Sequence, residues 1–135
     1  MVPSGILETV LYAEDLEAAR SFYQETLGLS PFQEEKGRHV FFKCAGQMLL
    51  IFNPVKTREQ RLSALPVPPH GALGQGHVCF RASAQELDEW RKHFASRGIA
   101  VEADFEWPGG GRSIYIRDPA GNSVEFAETR IWGLL

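Results

Sequence analysis

An α+β fold of two paired βαβββ modules curling into a half-barrel is what this 135-residue sequence predicts. Three observations carry that expectation. A strand, a helix and a closing glycine occur twice at nearly equal length, Glu8 to Gly28 and His77 to Gly98. A glycine-containing hairpin follows in each copy. Each module holds a single helix, enough to cover one face of its sheet, so the other face must meet something else.

The first module opens with a strand, an acidic cap at Asp15 and an amphipathic helix with Leu16, Ala19, Tyr23 and Leu27 on one side. The second opens with a strand at 77–82 and a capping box, Ser83 with Glu86 three residues on, in which each side chain satisfies an orphan backbone donor. Its helix carries Leu87, Trp90 and Phe94 at spacings of three and four and stops at Gly98, which can take the left-handed conformation past a helix end. Hairpins follow at 40–52, turning at Ala45-Gly46, and at 113–127, turning at Asp118 to Asn122. The second strand is weakest in both copies. Aligning Gly46 with Gly121 places Leu50 opposite Glu125. The chain therefore divides into module one, 5–54, a Pro- and Gly-rich linker, 55–74, and module two, 75–130, within one domain spanning 1–135.

Composition narrows the function. With 14 basic against 17 acidic residues and no long Lys/Arg block, the chain lacks the charge that tracks phosphates, so nucleic acid is not expected as a partner. Its longest apolar run, 48–52, is far short of the roughly 20 residues that span a bilayer. The N-terminus carries no basic-then-apolar signal, and a cytoplasmic location is expected. Cys44 and Cys79 lie in strand-like runs without metal-binding spacing and are expected to be buried, structural thiols.

Strand alternation identifies candidate site residues. Leu7, Thr9 and Leu11 share one phase of the first strand, and Val78, Phe80 and Ala82 the matching phase of its repeat; these suit the helices. Glu8 and His77 take the other phase. Glu125 lies opposite Val124 and Phe126 and joins them. Two carboxylates and an imidazole facing one concavity need a partner for their charge, and a divalent cation supplies it.

The strings ETVLYAEDLEAARSFYQETLGL, GQGH and GGGRSIYIRDPAGNSVEFAE resemble the vicinal oxygen chelate superfamily, which includes glyoxalase I, extradiol dioxygenases, fosfomycin-resistance proteins and bleomycin-binding proteins. The resemblance spans nearly the whole chain and implies a glyoxalase-like fold. It also implies metal ligands on the first and last strands of each module: Glu8, Leu50 (or Leu49), His77 and Glu125. Three of these four can bind metal. One histidine with two carboxylates favours Mn or Fe, with Zn or Ni also open. Leu50 stands where glyoxalase I has a further ligand, and Tyr12 where it has an arginine for the glutathione conjugate. By the same resemblance Glu125 is a ligand that also accepts a proton, and Tyr115, ten residues earlier, donates a hydrogen bond to a developing oxyanion.

The loop before the seventh strand adds Trp107 as an apolar wall and Arg112 as an anion contact, so Tyr12, Trp107 and Arg112 are the candidate substrate contacts. His70 is either a pocket-edge histidine or an exposed linker residue, and the linker reading is preferred; Trp90 and Phe94 read as helix core. The expected function is a metal-dependent enzyme of lyase, isomerase or dioxygenase type acting on a small oxygenated substrate. The alternative is a metal-free drug- or toxin-binding protein of the bleomycin-resistance type. Open sheet edges lead to the expectation of a homodimer.

Overall fold

The computed structural model describes residues 1–61 and 65–135; residues 62–64 of the predicted linker lie outside the described residues. It consists of two compact units, Met1–Gly76 and His77–Leu135.

In unit 1, β1 (Glu8–Tyr12) leads to α1 (Leu16–Ser21), then β2 (Ser30–Glu35), β3 (His39–Cys44), β4 (Gln47–Phe52) and a single turn of helix, α2 (Pro54–Thr57). In unit 2, β5 (His77–Arg81) leads to α3 (Ala84–Ser96), β6 (Ala103–Glu106), β7 (Arg112–Arg117) and β8 (Ser123–Ala127). Both sheets have one topology. Their orders are β1-β4-β3-β2 and β5-β8-β7-β6, with the first strand parallel to the last and the remaining pairs antiparallel. The twofold repeat expected from the sequence is thus present down to the register.

Helix entry follows the expected chemistry. The Asp15 carboxylate accepts from the Ala18 N–H at 3.0 Å, and Ser83 and Glu86 close a reciprocal capping box at 3.2 and 2.7 Å. Beyond Ser21, however, the first helix widens into a π-turn over Phe22–Thr26, where the Leu27 N–H donates to the Phe22 carbonyl at 3.1 Å. The wider turn rotates the buried stripe, so Phe22 and Thr26 join Ala19, Tyr23 and Leu27 inside.

In unit 2, Leu87 and Phe94 are fully buried. The rings of Trp90, Phe94 and Phe80 gather around Phe126 on β8 at 4.6, 5.6 and 5.3 Å between centroids. Burial of such side chains contributes about 2 kcal/mol each. This apolar seam fixes α3 on the Phe80/Phe126 face of the sheet, and alternation turns His77, Cys79, Ser123 and Glu125 to the other face.

Two sequence expectations need correction, and one turn is refined. The hairpin turns at Ala45-Gly46 as expected, with Ala45 taking the left-handed φ of 52°. Cys79 is exposed, because along β5 it shares the alternation of exposed His77 rather than of buried Val78. His70 is not a free linker residue. Its N–H donates to the carbonyl of buried Thr57 at 2.9 Å, and its ring meets the Tyr12 hydroxyl at 2.7 Å and the edge of Phe52 at a centroid distance of 4.7 Å. The next residue, Gly71, permits this approach, since a Cβ there would lie 2.6 Å from Arg58 Cγ and 3.2 Å from the Pro54 carbonyl oxygen.

Candidate functional site

The face of unit 2 turned away from α3 carries a connected set of polar side chains. Glu125, on β8, lies between Cys79 of β5 and Tyr115 of β7, its partner in each register. It is 5% exposed. A buried carboxylate requires donors, and they are present. Its Oε1 accepts from the Ser113 hydroxyl at 2.6 Å, and Tyr115 also hydrogen-bonds to it. Its Oε2 lies 3.2 Å from His77 Nε2.

His77 is anchored on its other side. Nδ1 lies 3.1 Å from the backbone carbonyl of Ser123, its register partner. A carbonyl only accepts, so Nδ1 carries the hydrogen and Nε2 is left to face Glu125. In the neutral ring, Nε2 presents a lone pair to a carboxylate. Their close approach suits a shared proton, on either atom, or a metal ion.

Aromatic groups stand beside the buried carboxylate, while the His77 side chain remains half exposed. Trp107 Nε1–H donates to Ser113 Oγ at 2.9 Å. Phe105 meets Trp107 edge-on at 4.8 Å and lies parallel to Tyr115 at 6.0 Å, and the His77 and Tyr115 rings lie nearly parallel at 6.3 Å. Burial, then the hydrogen bond to and the charge of Glu125, push the Tyr115 phenol up to about 12, so it remains a donor through neutral pH. Burial of its sulfur, then Glu125, push the Cys79 thiol up to about 12 as well, although the residue as a whole is exposed. Cys79 is therefore no nucleophile at neutral pH.

Of the expected site residues, His77, Glu125, Tyr115 and Trp107 are brought together within unit 2. Glu8 and Tyr12 belong to unit 1, at the two ends of β1, where Glu8 is exposed and Tyr12 holds His70. Arg112 requires correction. It shares the alternation of buried Ile114 and Ile116, and its guanidinium is committed to Asp104, at 2.7 and 2.9 Å, and to Asp88 of α3, at 2.6 Å. Arg91 pairs with Asp104 too. The result is an ion-pair clamp between α3 and the β6–β7 hairpin, so no charge is left over for a substrate anion.

The sequence reading missed Ser113. The available signal was a small polar residue in the alternation of Tyr115. Among the described residues, no group of three or more His, Cys, Asp or Glu side chains is arranged to hold a metal ion. The donor set of unit 2 nonetheless fits one. His77 offers a neutral Nε2 with its tautomer fixed by a backbone acceptor, and Glu125 offers an oxygen beside it; metal-bound histidines are held in this way.

Two equivalent βαβββ units, the second carrying a polar set across β5, β7 and β8, define a glyoxalase-like α+β protein. The chain belongs to the Glyoxalase/Bleomycin resistance protein/Dioxygenase superfamily, whose family model matches residues 5–126. The crystal structure of lactoylglutathione lyase from Agrobacterium tumefaciens is similar to it, with a TM-score of 0.94 and 50% identity over 98% of each chain. The virulence protein STM3117 of Salmonella typhimurium is 28% identical over 134 residues, covering 95% of this chain and 86% of that protein. The fosfomycin resistance protein FosX from Listeria monocytogenes shares the fold, with a TM-score of 0.68 and 21% identity over 94% of each chain.

Proposed function

We propose that the protein is a metal-dependent enzyme of this superfamily, of lyase, isomerase or dioxygenase type, acting on a small oxygenated substrate chelated to a divalent cation. The observation that carries this reading is the facing of His77 Nε2 and Glu125 Oε2 at 3.2 Å, with Nδ1 engaged by the Ser123 carbonyl. These two residues would hold the ion. When bound, a divalent cation supplies a Lewis acid that draws negative charge onto a substrate oxygen.

The chain's own residues have distinct tasks. Glu125 Oε2 accepts a proton from the substrate and returns it, while Oε1 stays held by Ser113. Tyr115, kept neutral by burial and by Glu125, donates a hydrogen bond where negative charge develops. Trp107 holds the Ser113 hydroxyl from the side away from the carboxylate. The Agrobacterium relative makes lactoylglutathione the first substrate to assay. Leu50 and Tyr12 favour a substrate smaller than a glutathione conjugate, because the expected fourth ligand and anion contact are replaced by a leucine and a phenol.

Unit 1 offers an observation for a second reading, a metal-free small-molecule binder. The rings of Phe41, His39, Phe52, His70 and Tyr12 form a continuous run, with Phe41 and His39 stacked at 4.0 Å. Such a surface suits a planar ligand.

Elemental analysis of protein purified without chelator or a nickel column tests the first reading. About one equivalent of a divalent ion per chain is expected, with affinity falling on the order of 100-fold in Glu125→Gln and His77→Ala. A folded wild type that binds no divalent ion at micromolar concentrations overturns it and leaves the binder. We also propose a cytoplasmic homodimer; a light-scattering mass of a single 15.1 kDa chain would contradict the dimer.

A further inference from the structure

We infer that Ser113 is a positioning residue for Glu125, and that Trp107, by fixing the direction of the Ser113 hydroxyl, links the state of that carboxylate to the turn at 107–111. The inference deepens the enzyme reading and rests on it for its metal arm alone.

The direction of the hydrogen-bond chain is set by its ends. An indole N–H can only donate, so the bond from Trp107 Nε1 at 2.9 Å occupies Ser113 Oγ as an acceptor. The hydroxyl hydrogen then points to Glu125 Oε1, at 2.6 Å, a length typical of a donor on an ionised oxygen. Ser113 is 0% exposed, so no water competes for either bond. With Oε1 engaged, the carboxylate cannot rotate without breaking a buried bond, and Oε2 is the oxygen presented to His77.

The other end of the chain is accessible. Trp107 is 38% exposed and stands at the start of a tight turn in which its N–H donates to the Gly111 carbonyl at 2.8 Å and its carbonyl accepts from the Gly110 N–H at 2.9 Å. Glu125 thus reaches a surface turn through one hydroxyl. Phe105, against both Trp107 and Tyr115, holds the indole in place. Ser113 pairs with Ala127 in the β7–β8 register, so its cross-strand neighbour is small.

The test uses the isotope-labelled full chain without metal, reading the indole N–H resonances of its three tryptophans. Ser113→Ala and Glu125→Ala are both expected to displace the Trp107 resonance and speed its solvent exchange, leaving that of exposed Trp132 in place; Ser113→Thr, which keeps the hydroxyl, restores it. An unmoved Trp107 resonance in folded Ser113→Ala overturns the inference. Titration with Zn²⁺ alone forms the second arm. Ser113→Ala should weaken binding about 10- to 100-fold, with recovery in Ser113→Thr and a smaller loss in Trp107→Phe. Unchanged affinity in folded Ser113→Ala also overturns it. Should the wild type bind no zinc, the metal reading falls while the indole measurement still decides the hydrogen-bond chain.

Discussion

Leu50 and Glu125 occupy the same register position in two copies of one sheet. Leu50 pairs with Val10, third in β1, and with Phe41 of β3; Glu125 pairs with Cys79, third in β5, and with Tyr115 of β7. The surroundings differ accordingly. Where unit 2 has Ser113 and Tyr115 as donors, unit 1 has His39 and Phe41, and the two His39 nitrogens are buried without a hydrogen-bond partner. Only one copy of the repeat is equipped to keep a carboxylate.

That unpartnered histidine predicts a pH dependence. Burial holds the His39 imidazole below its ordinary value of 6.5, with Glu35 opposing and Arg38 and Arg61 adding to the effect. The depressed folded value means that the neutral ring contributes stability above pH 6.5 and loses it as pH falls through the folded value. His39→Phe, which preserves the stack on Phe41, should flatten the decline of the urea midpoint on acidification. A decline identical to wild type would refute the assignment.

Cys79 predicts a reactivity. Exposed thiols ordinarily react readily at about pH 8, but this one stays protonated beside Glu125. Disulfide-exchange reagents should modify Cys79 in the folded protein more slowly than in the denatured chain, and faster in Glu125→Gln than in wild type. Equal folded-state rates would remove Glu125 as a cause.

The Arg112 clamp predicts a separation of stability from function. Arg112→Ala leaves Asp104 and Asp88 with fewer partners and should cost roughly 2 kcal/mol in denaturant unfolding, while divalent-ion affinity stays within about twofold of wild type. A large loss of ligand affinity with stability intact would return Arg112 to the role of anion contact.

Ala45 predicts a gain. A side chain in left-handed backbone costs about 1 kcal/mol or more relative to glycine, so Ala45→Gly should raise unfolding stability by about 1 kcal/mol, measured by chemical denaturation. A destabilised variant would mean that the turn relies on the alanine for more than its conformation.

The repeat was readable because two signals coincided, period-two alternation in the strands and cap-to-glycine spacing around the helices. Together they set Glu125 against Leu50 and turned His77 and Glu125 to one face. Alternation also places Arg112 with Ile114 and Ile116; reading it as a loop residue overrode that signal. Other features lie outside linear pattern. The π-turn after Ser21 leaves no mark in a 3.6-residue period, and the proline-rich composition around His70 hides its bond to Tyr12. The tie from Ser113 to Glu125 depends on which way an indole N–H points from another strand's turn.

The acceptor that fixes the His77 ring is the carbonyl of Ser123, a main-chain group. No exchange of one amino acid for another at position 123 deletes it, so scanning mutagenesis would pass over this acceptor. Its place is secured by the parallel pairing of β5 with β8, which makes imidazole orientation a property inherited with the backbone rather than with any codon at that site. Replacing the peptide link between Ser123 and Val124 by an ester, whose carbonyl is a weaker acceptor, would expose that dependence by chemical synthesis where genetics could not.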